Sequence, residues 1–211
     1  MLIYFLYRGV VNYVMVHISF GLLIGYPIVV VYGAAFLILG VAYIFTRSVR
    51  PVGVSLLGEI TVPRCLYGLS AVVTCYTICY MWTSALALPR EFVMKSLGFG
   101  MTPAQYCWLI ISLMVLPPIV EELAYRHFLL AALPIERSRV IALIAVVATA
   151  LLFGLSHTGY EYTPTKALMY ALGLVLGWAR WITGGLLLPI CLHSMCTAIA
   201  LGVDTIWKNW S

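Results

Sequence analysis

The chain has 211 residues, 64% of them hydrophobic and only 9% charged, with a net charge of +5 at neutral pH. A soluble domain carries about 25% charged residues, so a water-soluble fold is excluded, and the long unbroken apolar runs exclude a β-barrel, whose strands alternate apolar and polar residues. The basic residues are scattered at the ends of the apolar runs, where charges set topology, so nucleic acid is excluded as a partner and the lipid bilayer is the expected one.

A membrane span needs about 20 apolar residues, and about seven candidates follow in chain order. The N-terminal MLIYFLYRG has neither the charge order nor the small-residue cleavage site of a secretory signal and reads as an uncleaved anchor. The first span covers about 9–26 and the second about 28–46, with Gly25-Tyr26-Pro27 as the turn between them. A polar connection with Arg47, Arg50 and Arg64 leads to a third span at about 65–88. The next connection holds Pro89, Arg90, Glu91 and Lys95, with room for a short interfacial helix. A long fourth helix covers about 103–133, and Pro117-Pro118 must kink or break it. The backbone groups so freed need protein or cavity water. The fifth, sixth and seventh spans lie at about 139–157, 164–180 and 182–201.

Gly173 and Gly177 form a GxxxG, a close-packing element. Trp207, Lys208 and Trp210 read as interface anchors, and Tyr160, Tyr162, Trp178 and Trp181 as an aromatic belt. Glu161 and Asp204 read as solvated interfacial acids. The six cysteines fall in apolar runs without a CxxC and read as small packing residues. No repeat or linker interrupts the chain. The expected architecture is therefore all-α: one integral membrane domain over 1–211, a polytopic transmembrane helical bundle with a polar site inside it. With seven spans, Arg8, Arg47, Arg50, Arg64, Arg137, Arg139 and Arg180 share one side, against Arg90, Lys95, Lys166 and Lys208 on the other. That balance favours the first side as cytoplasmic. His157 then faces outward, whereas a count differing by one span turns it to the cytoplasm, so the orientation stays open.

The polar site is marked by Glu121 and Glu122, adjacent acids inside the run LMVLPPIVEELAYRHFLLAAL. A carboxylate at such depth costs roughly 2.5–3.5 kcal/mol, so intramembrane acids normally face a bundle interior and mark function. Arg126 is four residues after Glu122, and the two can pair on one helix face. Glu121 is rotated from Glu122 by about 100° and is left free. His157 ends the fifth span and His193 lies within the seventh. Alone, His157 is an ordinary interfacial histidine. Together, one Glu and two His can activate water for hydrolysis, bind Zn²⁺ or form a proton pathway. Their spacing does not choose among these.

Three motifs in order then resemble the CPBP family of intramembrane proteases (CAAX protease and bacteriocin-processing, or abortive-infection, family). These are EExxxR over Glu121–Arg126, FxxxH over Phe153–His157, and His193 after a Pro189-containing apolar run. The resemblance covers about 103–201 as a catalytic core, with 1–102 as N-terminal spans. It implies that Glu121 activates water, His157 assists the water or the leaving group, and His193 helps stabilise the oxyanion. Glu122 and Arg126 would shape the site. Thr197 stands where the family often has Asn, and an oxyanion donor is worth roughly 10²–10³ in rate.

The expectation is an intramembrane endopeptidase acting on a membrane-embedded or membrane-proximal protein or peptide, in the bacterial inner membrane. The resemblance requires no cofactor. Zinc is the alternative, with Glu121, His157 and His193 as ligands. Two other readings compete: a non-catalytic binding, immunity or regulatory scaffold of the same fold, which Thr197 favours, and a proton- or ion-coupled carrier, which lacks inverted-repeat signs.

Overall fold

The computed structural model describes residues 2–17, 25–49, 55–135 and 137–210. Among these the chain is helical, and the one extended contact is an isolated bridge between Ser55 and Gly185. Helix α1 spans Leu2–His17, α2 Pro27–Val49, α3 Val62–Ala85 and the short α4 Phe92–Lys95. Helix α5 spans Pro103–Glu122 and continues as a π turn over Leu123–Leu129 and a 3₁₀ turn over Leu130–Ala132. Helices α6, α7 and α8 span Arg139–Ser156, Thr163–Thr183 and Leu187–Trp210.

Local chemistry sets several of these boundaries. Thr102 and Gln105 form a reciprocal capping box at the start of α5, with Pro103 in the first turn, where its missing N–H costs nothing. Ser138 accepts from the Val140 N–H and caps α6. Helix α7 ends on Gly184 in the left-handed region, φ 66°, a position that favours glycine.

Five helices are long and apolar enough to cross a membrane: Pro27–Thr46, Val62–Ala85, Pro103–Leu129, Arg139–Ser156 and Leu187–Ile206. They correspond to the expected second, third, fourth, fifth and seventh spans. Among the described residues the count is thus five rather than about seven. The expected first span, 9–26, runs into residues outside the described ones, and its described part belongs to α1. The expected sixth span is a helix of 21 residues, but Lys166 and Arg180 lower its hydropathy. It packs against α3, α6 and α8, and a helix enclosed by protein need not be apolar throughout. The side chains of Arg47, Trp207, Lys208 and Trp210 lie outside the described residues, as does Arg50 altogether.

The α-helix runs through Pro117 and Pro118 and reaches Glu122. The departure from α geometry comes after the acid pair, where the widened π turn carries Arg126. Each proline removes one intrahelical bond but does not end the helix. The GxxxG packs on α6 as expected: a methyl added at Gly173 would meet the Ala150 backbone at 3.0 Å, and one at Gly177 the Val146 side chain at 3.0 Å. Val140, Leu143, Ile144, Leu151 and Leu155 stay exposed on the outside of α6, as lipid contact requires. The main core gathers Val120, Ala124, Tyr125, Phe153, Leu172, Leu176 and Leu186 around the acid pair.

Two sets of connections mark the bundle ends. At one end Glu59 N–H donates to the Thr183 carbonyl at 2.7 Å, and Leu186 N–H to Leu56 at 3.0 Å. At the other, Arg90 grips Asp204 through two hydrogen bonds of 2.9 and 2.7 Å. Asp204 is therefore a paired acid, not the solvated one expected from its position.

Candidate active site

The site is built on the last α-helical turn of α5. Glu121 and Glu122 are both buried, Glu122 at 0% exposure. Glu122 Oε1 accepts from Arg126 Nη1 at 3.0 Å, the i,i+4 pairing expected. Arg126 is 1% exposed and also donates to the Gly173 carbonyl at 3.2 Å. Its guanidinium lies 4.7 Å from the centre of the Phe153 ring, a favourable cation–π arrangement. The close approach allowed by the GxxxG thus places a backbone acceptor where a buried cation needs one.

Glu121 points to a different part of the bundle. Its Oε1 accepts from the Tyr32 hydroxyl at 2.8 Å. Its Oε2 lies 3.8 Å from His157 Nε2 and 3.9 Å from His193 Nε2. Among the described residues nothing hydrogen-bonds this buried oxygen. Three side chains separated by 36 residues and more in sequence therefore converge on one point.

The two histidines are oriented through their other nitrogens. His157 caps α6, and its Nδ1 lies 2.7 Å from the Phe153 carbonyl. A carbonyl only accepts, so Nδ1 carries the proton and Nε2 faces Glu121. His193 Nδ1 lies 2.9 Å from Glu122 Oε1 and donates to it by the same reasoning, again turning Nε2 to the site. Such an outer partner fixes both tautomer and ring orientation. Glu122 consequently serves Arg126 and His193 at once, whereas the sequence pointed only to its pairing with Arg126.

Thr197 lies beside the histidines and lines the same cavity. Its hydroxyl donates to the His193 carbonyl at 3.3 Å, so its one proton is committed to its own helix. The cavity has a volume of about 340 Å³. Glu121, His157 and His193 supply its polar centre, and Ile28, Leu113, Met169 and Leu201 are among its apolar walls.

The zinc alternative requires Glu121, His157 and His193 as ligands. Their donor types suit zinc, but among the described residues no three His, Cys, Asp or Glu side chains are placed to hold a metal ion. The separations of 3.8 and 3.9 Å exceed the about 3.3 Å between tetrahedral donors each about 2.0 Å from a zinc centre.

Several residues owe their place at the site to packing that the sequence did not indicate. Tyr32 lies in an apolar helix with nothing to distinguish it from the other tyrosines. Phe153 belongs to the FxxxH motif, but only packing places its ring against His157 and His193, with centroids 4.4 and 5.7 Å away. Tyr160, expected in an aromatic belt, instead lines the cavity and stacks parallel to His157 at 6.5 Å. Burial, with Glu121 and Glu91 adding to it, pushes its phenol up to about 12, so it keeps its proton at neutral pH.

Glu91 was legible only as part of a polar connection. It is buried and accepts the Glu161 and Tyr162 N–H groups at 2.8 and 3.2 Å. It thereby clamps the connection that carries His157 and Tyr160. Glu91→Ala leaves two backbone donors without their acceptor, at a cost of about 1–3 kcal/mol. The expected result is a several-fold fall in turnover with little change in KM, checked by steady-state kinetics beside Glu161→Ala, whose exposed side chain has no such role and whose turnover stays at wild-type level.

Comparison with known proteins falls on these same helices. The family described as type II CAAX prenyl endopeptidase Rce1-like matches residues 103–199. An Escherichia coli relative known as an uncharacterized 24.3 kDa protein is 32% identical over 167 residues, covering 78% of this chain and 74% of the relative. No solved structure matches the chain. With the family match running from the start of α5 through His193, and that identity extending over most of both chains, the protein belongs to the Rce1-like, or CPBP, family of intramembrane proteases.

Proposed function

We propose that this protein is an intramembrane endopeptidase in which Glu121 activates water for attack on a peptide carbonyl. The observation that carries this reading is the convergence of Glu121 Oε2 with both histidine Nε2 atoms, at 3.8 and 3.9 Å. Polar separations of this length are those a bridging water spans. A water there donates one proton toward Glu121 Oε2 and presents its lone pair to the substrate carbon. Glu121 takes the proton as the C–O bond forms. His193, held through Nδ1 by Glu122, turns Nε2 toward the developing oxyanion and stabilises it when that nitrogen carries a proton. Collapse of the tetrahedral intermediate breaks the C–N bond. His157 Nε2, which faces Glu121 Oε2, relays to the leaving amine the proton that Glu121 took from water, so that Glu121 returns to its carboxylate form and the products are the new carboxyl and amine ends. No step passes through a metal.

The substrate is a membrane-embedded or membrane-proximal protein or peptide, and the location a bacterial inner membrane. An apolar cavity with one polar centre favours an extended apolar segment over a soluble peptide. The test is cleavage of a fluorogenic membrane-peptide library, prenylated peptides included, by the purified full chain in liposomes, with and without a chelator. Cleavage unaffected by the chelator is expected. Cleavage abolished by it and restored by zinc would replace glutamate chemistry with metal chemistry.

One observation favours the second reading, a binding scaffold of the same fold: the Thr197 hydroxyl is turned to its own helix, so the site has one oxyanion donor fewer than the family pattern. Thr197→Asn restores a side-chain amide at that position. It is expected to raise kcat by up to about 10²–10³-fold, the range set by a single oxyanion donor. A scaffold gains no turnover from the change.

A further inference from the structure

We propose that Tyr32 is a positioning residue for Glu121, so that helix α2, outside the matched segment 103–199, completes the reaction centre. This rests on the peptidase reading above.

Among the described residues, the Tyr32 hydroxyl makes the one hydrogen bond to the Glu121 carboxylate, at 2.8 Å to Oε1. The terminal torsion of a glutamate is broad and roughly two-fold, so nothing in Glu121 itself decides which oxygen faces the histidines. The phenol makes that decision. It occupies Oε1 and leaves Oε2 for His157 and His193. A hydroxyl bond to a carboxylate is short and about twice as strong as a neutral one. The same donor serves Oε1 after Oε2 has taken a proton, so the geometry persists through the cycle. Helix α2 anchors the phenol through its neighbours, since Val31, Ala35 and Leu39 are buried on successive turns. Tyr32 also lines the cavity, with its hydroxyl at the polar centre.

The experiment uses the full chain in liposomes and compares wild type, Tyr32→Phe and Tyr4→Phe. The control deletes a hydroxyl that pairs with Tyr125 at 3.2 Å. Tyr32→Phe keeps the ring and its packing. It is expected to lower kcat by about 10- to 100-fold, the span of a hydrogen bond to a charged group. KM should stay within about twofold and the thermal midpoint unchanged, while Tyr4→Phe leaves kcat at the wild-type level. A second readout needs no substrate. Dicyclohexylcarbodiimide, an apolar carboxyl reagent, should label Glu121 severalfold faster in Tyr32→Phe than in wild type, by peptide mass analysis, because the carboxyl is freed to rotate. Unchanged kcat with unchanged labelling overturns the proposal, as does a kcat loss matched by an equal loss in Tyr4→Phe. A wild-type protein that cleaves no peptide overturns the peptidase reading instead, and the labelling ratio still decides whether Tyr32 holds the carboxylate.

Discussion

Glu121→Gln is expected to reduce kcat by about 10²–10⁴, the contribution of a positioned general base, while the protein folds as before. The amide has the size of the carboxyl and its oxygen can still accept from Tyr32, so the packing around α5 has no reason to change. What the proposed mechanism loses is the capacity of Oε2 to take a proton from water at the point where His157 and His193 converge. The measurement is single-turnover cleavage by variant and wild type at matched thermal midpoints. A variant that cleaves at the wild-type rate assigns the base to another group. A variant that retains substrate affinity without turnover separates the peptidase from the scaffold, because a scaffold that needs only binding would keep its function.

The largest expected effect on stability is that of Arg126→Met. Arg126 and Glu122 are 1% and 0% exposed, and removing one partner of a buried pair leaves an uncompensated charge at a cost of about 3–5 kcal/mol. Here the loss extends further. The Gly173 carbonyl loses its donor, the Phe153 ring loses its cation, and Glu122 keeps only His193. The double variant Glu122→Gln, Arg126→Met should recover more than half of the loss. It buries no unpaired charge, and the glutamine oxygen still accepts from His193 Nδ1. Unfolding midpoints in detergent for the two singles and the double measure the coupling directly. Additive losses would mean that the pair contributes nothing beyond its separate parts, and that the motif arginine acts through packing alone.

Such coupling explains why part of the site was readable in one dimension. Glu122 and Arg126 are four residues apart, and helical geometry alone brings such side chains together. The GxxxG on α7 was readable for the same reason, since close packing depends on residue size at a fixed interval. The second, third, fifth and seventh spans were legible because a bilayer imposes length and apolarity on each helix separately.

Other features were set by neighbours that no local pattern contains. Helix α7 carries Lys166 and Arg180 and is enclosed by α3, α6 and α8, so its hydropathy misreports its surroundings. The proline pair indicated a break, yet the departure from α geometry lies after Glu122, where Arg126 must reach a partner on another helix. Tyr160 and Asp204 had the composition of interface residues and became part of the cavity wall and of a half-buried ion pair.

By itself, the sequence determined the class, an all-helical membrane protein with two acids too costly to place in lipid, and the order of the motifs that marks the family. Only the tertiary structure decided that Glu121, His157 and His193 meet, that Glu122 turns His193, that Tyr32 reaches from α2 to one oxygen of Glu121, and that Glu91 clamps the connection bearing His157. Local spacing governs what a helix presents to its own faces and to lipid. Which side chains share a hydrogen bond across helices depends on how those faces pack, and that is a property of the assembled bundle.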